Sequence, residues 1–195
     1  MSLFTGSTAG TTRHFDNWRK WLARFQGRPI NAMEIGVYEG CATCWFLDNI
    51  LTDSGSRMVC VDTFDGGLDH KRAGVDFSSV EARFRDNIRQ YGAKVTTVKS
   101  TSHDCLRDFH RTVGDLSFDF IYIDGSHEAP DVLADAVLAW PLVKSGGTVI
   151  FDDYKWKSGL GKRHDPKMAV DSFVACYAEQ LRVVDKGWQF CVEKL

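Results

Sequence analysis

The chain has 195 residues, of which 44% are apolar and 26% are charged, and its formal net charge is −2. This composition is typical of a globular domain, and the small net charge argues against general attraction to nucleic acid or to an anionic membrane surface. No apolar run is long enough to span a bilayer, and the start of the chain lacks a secretion signal. We therefore expect a cytoplasmic protein that does not bind a membrane and is not expected to bind nucleic acid. Assembly into a homo-oligomer is compatible with the sequence.

Helical and strand patterns alternate along the chain. Apolar residues at helical spacing between Phe15 and Phe25 predict an amphipathic first helix, which Gly27 and Pro29 end. We expect residues 1–28, a polar segment followed by this helix, to precede the main domain, residues 29–195. Five near-continuous apolar strands are predicted there, separated by amphipathic helices, at residues 30–36, 57–63, 94–99, 118–124 and 146–153.

The last part of the chain has a different pattern. A helix near residues 167–180 is followed by two short β-rich runs around Asp185-Lys186-Gly187. That spacing predicts a hairpin, so the final strand should be antiparallel to its neighbour. The sequence therefore predicts a doubly wound α/β fold with a mostly parallel seven-stranded sheet and a C-terminal antiparallel hairpin.

A glycine turn joins the first strand to its helix in the stretch NAMEIGVYEGCATCWFL. Ligands of open α/β sheets bind beyond the carboxyl ends of the strands. The spacing Gly36-x-x-x-Gly40 departs from the G-x-G-x-x-G of dinucleotide sites, and Glu39 would repel a phosphate. Glu34 would tolerate a cation, and Asp62 could accept hydrogen bonds from a ribose. These features favour a positively charged cofactor that has a ribose and no phosphate, as S-adenosylmethionine does.

The motif EIGVYEG and the ordered set of polar strand ends resemble the class I S-adenosylmethionine-dependent methyltransferases over roughly residues 30–195. The resemblance implies a Rossmann-like fold. It also implies that Gly36 lets the methionine part approach, that Asp62 holds the ribose hydroxyls, and that Ser102 lies beside the adenine with Tyr38 flanking the cofactor. The full set of expected cofactor-binding residues is Glu34, Gly36, Tyr38, Gly40, Asp62, Thr63, Ser102 and Asp124.

Three carboxylates are expected to converge after the fourth and fifth strands. Asp124 ends one strand, and Asp152 and Asp153 end its neighbour, which in a parallel sheet lies only about 4.8 Å away. Unpaired carboxylates at that distance repel each other, and a hard divalent cation removes the repulsion. The sequence therefore predicts Mg²⁺, or another divalent metal, bound by Asp124, Asp152 and Asp153. An exposed acidic loop without a metal is the alternative.

The same residues resemble the metal-dependent O-methyltransferases of the catechol and macrolide-sugar types, and the D-G-S-H form at Asp124 to His127 is nearer the sugar type. This resemblance implies methyl transfer to a hydroxyl of a small molecule or sugar, with Asp124 and His127 catalytic and His127 as the base. His127 could instead cap the helix that opens at Glu128-Ala129-Pro130.

Other functions remain open at this stage. A metal-independent methyltransferase acting on another acceptor is the nearest alternative, and a dehydrogenase is disfavoured because the phosphate loop is missing. Cys41 and Cys44 form a C-x-x-C pair that could belong to a dithiol redox or binding module, although buried helix cysteines are the simpler interpretation. The basic segment from Asp153 to Lys167, with glycines at 159 and 161, is either a solvated loop or a lid over the acceptor.

Overall fold

The computed structural model describes residues 5–7, 11–112 and 117–195. In these residues seven strands form one sheet, in chain order β1 Asn31–Ile35, β2 Arg57–Asp62, β3 Val95–Lys99, β4 Phe118–Ile123, β5 Val143–Phe151, β6 Leu181–Lys186 and β7 Phe190–Lys194. The strand order is β3-β2-β1-β4-β5-β7-β6. β1 to β5 pair in parallel, whereas β7 is antiparallel to both β5 and β6. The predicted sheet and its terminal hairpin are confirmed.

Helices cover both faces of the sheet. They are α1 Phe15–Leu22, α2 Cys41–Asn49, α3 Leu68–Arg72, α4 Val80–Ile88, α5 Ser102–Thr112, α6 Ala129–Ala139 and α7 Pro166–Cys176. One hydrophobic cluster joins the sheet to α5, α6 and α7, and a second joins it to α1, α2 and α4. Because both faces are covered, the central strands are largely apolar, with few polar residues among them. In the described part of the chain, no helix is long and apolar enough to cross a membrane.

The first helix packs into the core beside α2. Trp18 of α1 is fully buried and contacts the rings of Trp45, Phe46 and Tyr122. Its indole nitrogen donates a hydrogen bond of 2.8 Å to Gln189 Oε1, in the turn between β6 and β7. The first helix thus brings residues 11–14, which precede it, to the carboxyl ends of the strands. The boundary between residues 28 and 29 stays a prediction.

Candidate active site

A cavity of about 790 Å³ opens at the carboxyl ends of the parallel strands. It lies where the strand order reverses, between β1 and β4, as expected for ligand sites in doubly wound sheets. All but one of the residues predicted to bind the cofactor line this cavity: Glu34, Gly36, Tyr38, Asp62, Thr63, Ser102 and Asp124. The exception among the predicted set is Gly40, which is not a lining residue.

The two positions of the turn require glycine for different structural reasons. Gly36 has a φ of 81°, and a Cβ built there would lie 2.1 Å from the carbonyl oxygen of Asp124. Only glycine fits this approach of the β1 turn to the end of β4. Gly40 also has a positive φ, at the start of α2, but its Cβ would meet the Phe84 ring at 3.0 Å. Gly40 therefore shapes the packing of the turn against α4.

Asp62 ties the glycine turn to the end of β2. Its Oδ2 accepts hydrogen bonds from the backbone amides of Val37, at 2.7 Å, and Tyr38, at 3.0 Å. Its Oδ1 accepts one from the amide of Phe64 at 2.7 Å. A carboxylate offers about four lone-pair positions, so capacity for a hydroxyl donor is left. The side chain thus has a structural role, and its contact with a ribose stays a prediction.

Glu34 carries a buried carboxyl group at the base of the cavity. The side chain accepts a hydrogen bond of 2.6 Å from the hydroxyl of Thr43, and the residue is only 1% exposed. Burial raises the pKa of Glu34 to about 8, against the opposing effect of the Thr43 hydrogen bond. A nearby cation would favour the ionised form, so this position suits a positively charged ligand.

Asp124, His127 and Asp153 converge at the other end of the cavity. One possible ligand atom from each lies within 4.8 Å of the others. Burial, followed by the charges of Asp152 and Asp153, raises the pKa of Asp124 well above its usual range. Two carboxylate oxygens and an imidazole nitrogen at this separation form a donor set that fits a divalent cation.

Asp152 lies beside this cluster but is held by other hydrogen-bond partners. Its Oδ2 accepts a hydrogen bond of 2.6 Å from the Tyr122 hydroxyl, and its Oδ1 accepts one of 3.0 Å from Gln189. The amide of Asp153 also donates to Oδ1, at 2.8 Å. Of the three predicted metal-binding residues, the structure therefore brings Asp124 and Asp153 together with His127, and it commits Asp152 to other partners.

His127 bridges two carboxylates. Its Nε2 lies 3.0 Å from Asp153 Oδ2, and its Nδ1 lies 3.2 Å from Asp69 Oδ2. Burial lowers the pKa of His127, but these two acids outweigh it and raise the pKa to about 9. The contact of Asp69 with His127 in turn lowers the pKa of Asp69 to about 2. The alternative of a helix cap gains no support, because the ring is held by acids and no side-chain capping bond occurs at the start of α6.

Several lining residues were missed by the sequence analysis. Arg13 and His14 reach the cavity from a 3-10 helix, Thr11–His14, and Trp188 reaches it from the β6–β7 turn. Asp69, which contacts His127, lies on α3, where the sequence analysis predicted no helix. The five residues of α3 show no apolar periodicity, so no sequence signal marked this helix.

The C-x-x-C pair lies on the first turn of α2. Cys44 is buried and Cys41 is partly exposed beside the cavity. Burial, with a smaller effect of Glu34, raises the pKa of Cys41 to about 11. A thiol with a raised pKa is a poor nucleophile at neutral pH, which is the opposite of what a redox dithiol needs.

A family model described as a methyltransferase domain matches residues 33–154, which include the glycine turn and the Asp124–Asp153 cluster. The chain belongs to this methyltransferase family. The match covers well over half of the chain. The predicted resemblance to the class I S-adenosylmethionine-dependent methyltransferases is thereby confirmed.

Known proteins share this methyltransferase fold at low sequence identity. The chain resembles the O-methyltransferase from Bacillus cereus, solved in complex with SAH, with a TM-score of 0.66 and 17% identity over 98% of this chain and 84% of that one. It also resembles MycE of the mycinamycin biosynthetic pathway, solved with Mg and SAH, with a TM-score of 0.62 and 16% identity over 92% of this chain and 49% of that one. At these identities the likeness establishes the fold.

A curated relative is also similar in sequence. The uncharacterized protein R132 of Acanthamoeba polyphaga mimivirus is 26% identical over 145 residues, which are 73% of this chain. The match spans 59% of the length of that relative.

Proposed function

We propose that the protein is an S-adenosylmethionine-dependent methyltransferase that methylates a hydroxyl of a small molecule or sugar with the help of Mg²⁺. The observation that carries the proposal is the convergence of Asp124, His127 and Asp153 at one end of the cavity that the glycine turn lines. Two structural neighbours, an O-methyltransferase solved with SAH and a methyltransferase solved with Mg and SAH, support this choice of chemistry.

In this proposal the cofactor lies along the turn after β1. Gly36 allows the methionine part of the cofactor to approach closely. Asp62 accepts hydrogen bonds from the ribose hydroxyls and also keeps its hydrogen bonds to the amides of the turn. Glu34 lies beneath and stabilises the positive charge. Tyr38, Thr63 and Ser102 line the remaining wall.

The proposed metal ligands are Asp124 and Asp153, with the Nε2 atom of His127 beside them. A bound Mg²⁺ supplies a Lewis acid that lowers the pKa of an acceptor hydroxyl. Asp152 supports the cluster indirectly, because it holds the Tyr122 hydroxyl and the Asp153 amide.

His127 is the proposed base. Its Nδ1 faces Asp69, which orients the ring, and its Nε2 faces the position where the acceptor proton must be released. The pKa of about 9 belongs to a ring paired with two carboxylates. A cation that engaged Asp153 would weaken that pairing and would lower the pKa of His127.

Metal binding can be tested without the acceptor. We expect Mn²⁺, followed by electron paramagnetic resonance, to bind the SAH-loaded protein, and we expect Asp153→Asn to weaken that binding by about tenfold or more, since a ligand is lost. Asp152→Asn should weaken it less, because its oxygens have other partners.

The exposed substitution Glu179→Gln serves as the control. Equal Mn²⁺ affinity in the wild type and Asp153→Asn would contradict the metal site and favour the runner-up, a metal-independent methyltransferase. In an assay with labelled S-adenosylmethionine and a panel of hydroxylated acceptors, excess chelator should likewise abolish transfer.

A further inference from the structure

Two indole rings flank the His127–Asp153 pair. The ring of Trp156, in the segment after β5, lies with its centroid 4.5 Å from that of His127. Trp188, in the turn between β6 and β7, donates a hydrogen bond of 2.9 Å from its indole nitrogen to Asp153 Oδ1. Both indoles line the cavity, and Trp188 is 38% exposed. Flat apolar surfaces are therefore available where the acceptor must bind.

Arg13 lies over the ring of Trp188. Its guanidinium carbon is 4.6 Å from the ring centroid, a distance typical of a cation–π contact. Its Nε donates a hydrogen bond of 3.0 Å to His14 Nε2, and its Nη2 lies 4.0 Å from Asp153 Oδ1, too far for a hydrogen bond. A guanidinium has five N–H donors. Arg13 is thus held in position while its outer donors face the cavity and solvent.

The charges of the cavity are separated by depth. Among the lining residues that the structure describes, Arg13 is the one arginine or lysine, and its side chain is 52% exposed. The carboxylates lie deeper, for example Asp152 and Asp153 at 11% and 19% exposure. In the proposed function Asp153, together with Asp124, faces the metal. The mouth of the cavity is left with the positive charge of Arg13.

We propose that the acceptor is a hydroxylated ring that carries an anionic substituent, and that Arg13 receives this substituent while Trp156 and Trp188 pack against the ring. The inference rests on the proposed function and names its substrate class. A guanidinium stacked on an aromatic face binds carboxylate or phosphate through two parallel hydrogen bonds, which a lysine cannot reproduce.

Matched pairs of hydroxylated compounds test the inference by calorimetry with the protein saturated with SAH and Mg²⁺. The aromatic pair is 3,4-dihydroxybenzoate and catechol, and the sugar pair is glucuronate and glucose. In at least one pair, the anionic member should bind tighter than the neutral one by about tenfold or more, the range for a hydrogen bond to a charged group. Arg13→Gln should reduce that preference to below about threefold, and Arg13→Lys should give an intermediate value.

Lys20→Gln, which removes an exposed positive charge of α1 that does not line the cavity, should keep the full preference. A titration of each variant with SAH alone separates the possible failures. Absence of SAH binding to the wild type would contradict the proposed function itself. If SAH binds normally, any one of three outcomes would overturn the present inference. Neither pair shows a preference for the anion, none of the four compounds binds, or Arg13→Gln keeps the preference.

Discussion

At the scale of single residues, the deep burial of the Glu34 carboxyl group is the least expected feature of the cavity. A carboxyl group that is 1% exposed has lost its hydration, and one hydroxyl from Thr43 does not replace it. The native apoprotein therefore holds the Glu34 proton up to a pKa of about 8, whereas the unfolded chain releases it near 4.5. Buried acids of this kind are commonly found at functional sites.

This difference predicts a pH dependence of stability. Between about pH 4.5 and 8 the native state binds one proton more than the unfolded state at Glu34, so the free energy of unfolding falls as the pH rises. Glu34→Gln removes this contribution. From pH 5.5 to pH 8, urea unfolding should show the wild type losing more stability than the variant, by more than about 1.4 kcal/mol, the equivalent of one pKa unit.

Glu179→Gln, an exposed change of the same chemistry, should follow the wild type. Parallel pH profiles for the wild type and Glu34→Gln would show that Glu34 is ionised in the native apoprotein.

Asp152 and Asp153 show why neighbouring residues of one motif separate in function. Asp153 has a φ of 51°, a left-handed conformation that aspartate tolerates better than most residues. It turns its side chain to His127 and Trp188, whereas Asp152 faces Tyr122 and Gln189. The sequence predicted a cluster of carboxylates at this strand end, but it gave no sign of the backbone conformation that selects between them.

At the scale of elements, the turn between β1 and α2 depends on the approach of Gly36 to the carbonyl of Asp124. Gly36→Ala would place a Cβ 2.1 Å from that oxygen, in addition to the strain of a positive φ. Gly27 provides a control, because its φ is +72° and no atom lies within 4 Å of the built Cβ. Gly27→Ala therefore carries the conformational strain alone, about 1–2 kcal/mol.

We expect Gly36→Ala to lower the free energy of unfolding by clearly more than Gly27→Ala, and to lower SAH affinity as well, since the two strand ends must move apart. Urea unfolding and calorimetry measure the two effects. Equal destabilisation by the two substitutions would show that the close contact does not constrain the turn.

The segment after β5 is held at several points. Asp165 accepts hydrogen bonds from Lys157 and from both the amide and the hydroxyl of Ser158, so residues 159–161 form the tip of a closed loop. His164 Nδ1 lies 2.6 Å from Glu128 Oε2 at the start of α6. The predicted lid over the acceptor stays a prediction, and any such movement must break or carry along these contacts.

At the scale of the whole molecule, the sheet was predictable because its strands are buried on both faces and its hairpin has a turn signal. The residues at the carboxyl ends of β1, β2 and β4 were predictable for the same reason, since parallel strands fix which ends meet. The positions of Arg13 and Trp188 at the cavity could not be predicted from the sequence. They reach the cavity because Trp18 packs in the core and bonds Gln189, a tertiary contact across 171 residues that no local pattern encodes.

Calorimetric titration with SAH tests directly whether the cavity is an S-adenosylmethionine site. We expect one molecule of SAH per chain, and an affinity about tenfold or more weaker in Asp62→Ala, since hydrogen bonds to a charged group contribute about 1.5–3 kcal/mol. Asp65→Ala, an exposed acid of the same loop, should bind as the wild type does. No binding by the wild type, or unchanged affinity in a folded Asp62→Ala variant, would contradict the account.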